Sequence, residues 1–467
     1  MKFSFIPLAA IPMALAACKV GPDFRSPERD GGNRWKEGRA ERNASLPDAW
    51  WKLFGDPELN RLVDRALAAN QNLAAAKSRV DTARALVGLD RARLFPTLDF
   101  TGSGGISRAS QDAVGANLPP GVSIDLEQQR YRGTFNLAYD LDLWGRNKRL
   151  LEASAADAAA SEALFDAQRL GLAAEVARQY FVLRGLDTQE SVLQDTLRSR
   201  KDALDLQQSK TTAGITDGLA TSRARTEYEL AGHDLAAVQR QRGSAEHALA
   251  VLCGQPPSSF AVARRGSGKA LPSIRPGLPA EVLARRPDVH ESEEKLRAAN
   301  ARVGAAKAAF YPNLSLSAGG GFESIDVRRF LDWENRVLSF GGNLAAPIFD
   351  GGTNRANYDA ARSRFDEALA GHRQVLLVAL REVEDALVDL HGLARSRRSL
   401  EAALASARDT RKLSQERFDK GLTAYLEVVD ADRTVLQTRL ALAEIEAQQR
   451  VSLAALAKAL GGGWNTK

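Results

Sequence analysis

Two stretches carry residues whose types and spacing could do chemistry. The first is Leu15-Ala16-Ala17-Cys18, which follows Lys2 and the apolar run Phe3 to Leu15. A thiol directly behind small residues and a short apolar stretch has the form of a lipobox, cleaved before Cys18 and acylated on the cysteine. The run is too short for a permanent membrane helix, so residues 1–17 read as a lipoprotein signal peptide. No cofactor is expected beyond a covalent lipid on Cys18; the competing reading is a secretory signal with an incidental cysteine. The second stretch surrounds Gly421: Arg417, Asp419, Lys420, Thr423, Tyr425, Glu427, Asp430 and Arg433. Glu427, Asp430 and Arg433 are three residues apart, so on a helix they share a face and can pair within it.

Other chemistry finds little support. His233, His247, His290, His372 and His391 lie in polar helical stretches without paired ligand spacing, which favours solvated surface over a metal site. No nucleophile elbow, phosphate loop or supported carboxylate pair is present, and nothing argues for an enzyme. Both methionines, Met1 and Met13, fall in the signal, which weakens a thioether path for soft metals. Cys253 is left alone, so the mature chain has no internal disulfide. The formal charge is +6 over 467 residues, or +5 without Lys2, with no basic run interleaved with aromatics, which argues against nucleic acid.

The elements that position these residues are set by two switches. Before Pro312 the chain reads as alanine-rich helix; after it, Leu314, Leu316, Ala318, Gly320 and Phe322 alternate with small polar residues, a period of two. Proline disfavours helix at the residue before it, so Pro312 is a natural boundary. Pro96 is its earlier copy. It leads to strand candidates Leu98 to Ile106 and Phe135 to Leu143, separated by a polar loop.

Around the first switch the chain reads in order. Residues 19–57 form an irregular segment anchored by Trp50, Trp51 and Phe54. Helix runs from Glu58 to Leu94 with a break near Asn70. From Trp144 to Ala213 the helical pattern is uninterrupted, with Val176, Leu183, Leu197 and Leu204 on one heptad series and Leu186 and Leu193 on a second. Such a helix is about 100 Å long. It should turn at Gly214 and return from Leu219 to Leu252, ahead of a Pro- and Gly-rich linker.

The second half repeats the first. Pro312 lies 216 residues after Pro96, and Gly421 lies 207 after Gly214. The difference of nine places a longer loop in the first strand pair. Leu369, Leu376, Val383 and Leu390, with Leu380 and Leu387, renew the heptads. The first turn is followed by Arg223 and Arg225 where the second carries acids, so the two tips are not equivalent. The organisation expected is a signal at 1–17, an N-terminal segment at 18–57, repeats at 58–254 and 281–462 joined by a linker at 255–280, and a tail at 463–467.

Four strands of about ten residues, each with an apolar and a polar face, suit a wall between lipid and lumen. Their edges need partners in hydrocarbon and four strands cannot close a barrel, so oligomerisation is implied. Two chains would supply eight strands and three would supply twelve, a choice that the count leaves open. A soluble sheet with a coiled coil is the competing architecture.

At this point the chain resembles outer-membrane efflux proteins of the TolC superfamily, in the lipoprotein branch serving resistance-nodulation-division pumps. The residues that carry this are Leu15 to Phe24, Arg285-Arg286-Pro287-Asp288-Val289, Val303 to Leu316, Pro347 to Gly352, and Gly421-Leu422-Thr423 to Arg433. The resemblance implies a mainly α homotrimer whose duplicated helical hairpins form a periplasmic tunnel under a twelve-stranded membrane β-barrel. It implies an exit duct fed by a periplasmic adaptor and an inner-membrane transporter. Lys19 after the cysteine implies the outer membrane and its lipids, with the chain extending into the periplasm. The tips at Gly214, Gly421, Leu422 and Thr423 would dock the adaptor. Asp430 and Arg433 match the family's Asp-Ala-x-Arg motif, so with Glu427 and Tyr425 they would gate the periplasmic end. The alternatives are an exit duct for type I protein secretion and a structural envelope lipoprotein.

Overall fold

The computed structural model describes residues 19–28, 31–32, 34–38, 41, 46–110, 126–266 and 271–463. The signal segment, Cys18, most of the first strand-pair loop and the last four residues lie outside them. The chain forms two compact units, each drawing segments from both repeats: one built from residues up to Ser26, Asp81–Ala159 and Glu293–Ala370, the other from Pro27–Val80, Ala160–Ser292 and Gly371–Lys467.

In the first unit, β1 (Thr97–Arg108), β2 (Glu127–Leu141), β3 (Asn313–Ser324) and β4 (Arg336–Ala345) form one antiparallel sheet in sequence order. Phe100 stands opposite Phe135 and Leu98 opposite Leu137 on one face. Thr97, Thr101, Asn136 and Ser315 lie on the other, as the period of two requires. The apolar face is uncovered: Leu98, Phe100, Ile106, Phe135, Leu338, Phe340 and Leu344 are all exposed. β2 begins earlier than its apolar pattern suggests, because Glu127 to Arg132 pair with Ser103 to Arg108. It also stops at Leu141, leaving Leu143 outside the strand, its N–H bonded to the Leu141 carbonyl in a turn.

Both switches are fastened in the same way. After β2, the Asp142 carboxylate accepts the N–H groups of Asn147 and Lys148 at 3.0 and 2.8 Å, and the Asn147 amide donates to the Arg93 carbonyl before Pro96 at 3.5 Å. After β4, Asp350 accepts the N–H groups of Gly352 and Asn354 at 2.9 Å each, and the Asn354 amide donates to the Ala309 carbonyl before Pro312 at 3.3 Å. Each acid supplies acceptors for helix-start N–H groups that have no intrahelical partner, and the asparagine ties the new helix to the end of the old one. At the second switch the Trp144 indole donates to the Pro312 carbonyl at 2.8 Å and stacks on Tyr311 at 4.7 Å between ring centroids.

Helices α1 (Pro57–Ala69) and α2 (Gln71–Ala92) precede the first switch, broken at Asn70, while α5 (Pro279–Arg285) and α6 (Pro287–Ala308) precede the second. The long helices α3 (Arg146–Thr212) and α7 (Thr353–Asp419) are 67 residues each. Their return helices α4 (Gly218–Leu252) and α8 (Tyr425–Ala459) are 35 residues each, so the duplication is metrically regular. In the second unit the heptad positions Val176, Leu183, Leu186, Leu193, Leu204, Leu376, Val383 and Leu387 are buried, while Leu197, Leu380 and Leu390 are half-buried. Trp50, Trp51 and Phe54 form a short 3-10 turn whose rings join this core, Phe54 lying 4.7 Å from Phe181. Cys253 is buried there too, and burial raises its thiol pKa, so it is a poor nucleophile.

His372 departs from the solvated expectation. It is buried, with Nδ1 2.8 Å from the Ser292 hydroxyl, because its helix face packs on α6. His233, His247 and His391 are exposed and His290 is half-buried. Among the described residues no cluster of His, Cys, Asp or Glu could hold a metal, and no helix is long and apolar enough to cross a membrane.

The face assignment is open to direct test. Leu338→Arg places a charge on the apolar face and should cost about 2–4 kcal/mol at mid-membrane depth, whereas Asn343→Arg on the opposite face should insert normally. Heat-modifiable folded oligomer in outer-membrane fractions is the readout, and equal yields of both variants would reject the assignment.

Candidate functional site: the helical hairpin tips

The turn at each hairpin tip is set by a glycine. Gly214 and Gly421 have φ of 69° and 71°, the left-handed region that glycine enters without strain. The N–H of Ile215 returns to the Lys210 carbonyl and that of Leu422 to Arg417, each at 2.9 Å, which closes the last helical turn. Asp217 caps α4 by accepting the Leu219 N–H at 3.2 Å; α8 starts at Tyr425 after Ala424, without a side-chain cap. Ile215, Leu219, Leu422 and Leu426 are apolar and exposed, and Thr423 is half-buried. At the first tip the Thr211 and Thr221 hydroxyls lie 2.8 Å apart across the hairpin, beside a cleft of about 810 Å³ that includes Arg225.

The charged residues of the second tip are brought together with the first hairpin. Arg433 on α8 donates through Nε to Glu227 Oε1 on α4 at 2.9 Å, with a second, shorter contact from Nη2. Arg200 on α3 holds the other side: its Nη2 lies 3.0 Å from Glu227 Oε2, and its Nη1 donates to the Glu227 backbone carbonyl at 2.7 Å. Glu227 is only 5% exposed, so its charge is compensated by two guanidinium groups inside the helix packing. The bond to Glu227 is the chief cause that raises the Arg433 pKa.

The intrahelical pair expected from spacing is the weaker contact. Arg433 Nη1 is 3.8 Å from Asp430, whose side chain is 61% exposed. Glu427 is also exposed. Tyr425 is half-buried with its ring 5.4 Å from Phe418, and its phenol pKa is raised, first by burial and then by the Asp432 and Glu227 charges. Asp432 pairs with Arg411 on α7 at 2.7 Å. Thus Arg433 is bonded to the buried Glu227 and Tyr425 is half-buried against Phe418, while Asp430 and Glu427 are exposed. Glu227 and Arg200 were not singled out by sequence, since the bond joins residues 206 apart. The one signal was a pair of acids, Glu227 and Glu229, directly after Arg223 and Arg225.

Near the sheet, the residues just past Cys18 are fixed. The Val20 N–H donates to the Trp144 carbonyl at 3.2 Å, and the Asn300 amide to the Pro22 carbonyl at 3.0 Å. The Arg149 side chain, 1% exposed, contacts Asp23 and Glu152 at 2.9 Å each and the Gly21 carbonyl at 3.4 Å.

Residues 62–255 and 278–462 match the family described as outer membrane efflux protein. The chain belongs to that family. It is 33% identical to the outer membrane protein OprJ of Pseudomonas aeruginosa, over 97% of this chain and 95% of that one. It is 30% identical to the cation efflux system protein CusC of Escherichia coli, over 97% of each. Among solved structures it superposes on the outer-membrane channel OprN with a TM-score of 0.88 at 30% identity, covering 96% of this chain and all of that one. The open state of the Neisseria gonorrhoeae MtrE channel gives 0.83 at 27% identity, covering 96% and 98%. This efflux protein is therefore mainly α-helical with a strand set contributing to an outer-membrane barrel, in a family of channels.

Removing the cations should have unequal effects. Arg200→Gln withdraws a largely buried partner with two bonds to Glu227 and should cost about 3 kcal/mol. Arg433→Gln withdraws a half-exposed one and should cost about 1 kcal/mol. Thermal unfolding of the purified oligomer reads the difference, and a larger loss for Arg433→Gln would contradict the geometry.

Proposed function

We propose that this protein is the trimeric exit duct of a tripartite pump, closed at its periplasmic end by the Glu227–Arg433 latch. The observation that carries the latch is that the buried Glu227 joins the two hairpins of one chain through an ion pair with Arg433. Opening requires α8 to leave α4, which separates Arg433 from Glu227. Tyr425 and the exposed Asp430 and Glu427 line the side of α8 that would move, and threefold symmetry would bring the acids of three chains toward one axis. An acidic ring of that kind retards anions and draws cations.

The periplasmic adaptor would dock on the exposed apolar residues at Gly214, Gly421, Leu422 and Thr423, with an inner-membrane transporter of the resistance-nodulation-division class supplying the drive. Cys18 would carry the lipid. The bonds that Arg149, Trp144 and Asn300 make to residues 20–23 support this, because they hold the segment beside the strands, where an acyl chain can reach the bilayer. Pro96 and Pro312 would mark the junction of tunnel and barrel. Relatives are named for solvents, for toluene and for cations, which supports a duct that leaves cargo selection to the transporter.

Single-channel recording tests the latch. Glu227→Gln and Arg433→Gln should each raise the conductance of the full-length channel, Asp430→Asn alone much less, and Asp430→Asn with Arg433→Gln at least as much as Arg433→Gln. Unchanged conductance in Glu227→Gln would remove the latch from the mechanism.

A further inference from the structure

The loop between β3 and β4, residues 325–335, exposes Ile325, Val327, Leu331 and Trp333. So many large apolar side chains do not suit a segment facing water alone. The loop is nevertheless firmly tied. Asp326 accepts the Arg328 N–H at 2.9 Å, Arg329 pairs with Asp332 at 3.1 Å and Glu334 at 3.4 Å, and the Asn335 amide donates to the Arg329 carbonyl at 2.6 Å. It also leans to one side of the sheet. The Phe330 ring lies 6.3 Å from that of Phe322, and a Cβ on Gly133, which stands opposite Phe322 in the register, would meet the Phe330 ring at 3.0 Å. Phe322 belongs to the apolar face, so the bare backbone of Gly133 seats the loop on that face.

Arg336, the first residue of β4, falls on the same face two residues before Leu338. From Leu344 to Arg336 this face runs about 27 Å along the strand, or about 21 Å along the membrane normal at a tilt of about 40°, close to the apolar band of about 25 Å in outer-membrane barrels. The guanidinium therefore stands where hydrocarbon gives way to headgroups. Its carbon lies 4.4 Å from the centre of the Trp333 ring, and Nη1 donates to the Trp333 carbonyl at 2.7 Å. No described residue forms an ion pair with Arg336 or Arg328, since Asp332 and Glu334 are taken by Arg329. The bond between Asn335 and Arg329 joins the backbone neighbours of these two arginines, which keeps them at one end of the loop.

We infer that the β3–β4 loop binds a phosphate-bearing lipid of the outer leaflet, with Leu331 and Trp333 against its acyl chains and Arg328 and Arg336 on its phosphates. The loop stands at the end of the sheet opposite both switches, so helices extending into the periplasm place it on the outer side. A guanidinium at the edge of hydrocarbon calls for an anion, and phosphate oxygens accept its paired N–H donors. Trp333 holds the plane of the Arg336 fork in advance. The inference rests on the reading of the sheet as a lipid-facing wall and adds a specific lipid site to it.

Native mass spectrometry of the full-length trimer in detergent tests it, with diphosphorylated lipid A and its fully dephosphorylated form as probes. The wild type should retain up to about three phosphorylated lipids per trimer and few of the dephosphorylated ones. Arg328→Gln together with Arg336→Gln should weaken retention about tenfold or more, the scale of lost charge-assisted contacts. Equal retention of the two lipids, unchanged retention by the double variant, or full displacement by equimolar inorganic phosphate would each overturn the inference, the last by revealing a free-anion site. Dissociation of the double variant into single chains would overturn it too, by assigning the loop to contacts with a neighbouring copy. The Leu338→Arg variant separates the two readings. If it fails to insert while the wild type shows no preference for phosphorylated lipid, the wall stands and only the lipid site falls; if it inserts normally, the wall itself falls.

Discussion

A strand edge standing in hydrocarbon leaves backbone donors and acceptors without partners, at several kcal/mol for each group. Among the described residues β1 pairs only with β2 and β4 only with β3, so two edges are open. The uncovered apolar face makes the same demand, because Leu338 and Phe340 are more than 80% exposed and no described element covers them. Neither demand is met within one molecule. Closure by neighbouring copies satisfies both at once, and the helices must then hang from a closed ring. The acid and asparagine fastenings at both switches become intelligible in that setting, since they fix where each long helix leaves the sheet.

The proposed gate answers a different problem, which is how a duct stays shut and still opens. Apolar heptads hold α3 and α7 along much of their length, and a seam of that kind favours permanence. Near the tips the joining contact is ionic instead. Glu227 is nearly inaccessible and contacts two guanidinium groups, so in the proposed opening Arg200 would still compensate it once Arg433 departs. On that proposal the strength of the closure is set by the half-exposed partner, Arg433.

Much of this architecture was legible because it is written in local patterns. Proline at 96 and 312, the period-two runs beyond them, the heptads and the glycine turns each depend on neighbours within a few residues, and the repeat confirmed them. What escaped was long-range. The spacing of Asp430 and Arg433 invited an intrahelical pair, but the guanidinium prefers a buried acid on another helix, where lower polarity strengthens the bond. His372 looked solvated in its polar stretch, yet its face of the helix is covered. The upstream half of β2, with Gln128, Arg130 and Arg132, has no apolar alternation and is a strand through its pairing alone.

The duplication has one further consequence. A repeat with offset 207 sets Arg223 and Arg225 of the first tip at the positions of Asp430 and Asp432 in the second. Three chains arrange six hairpins in a ring, and first and second tips alternate around it. At these two positions the charge is therefore cationic in one tip and anionic in the other. The divergence of two copies of one ancestral segment thus gives the two tips of a chain unlike surfaces, and lowers the effective symmetry of the ring from six to three.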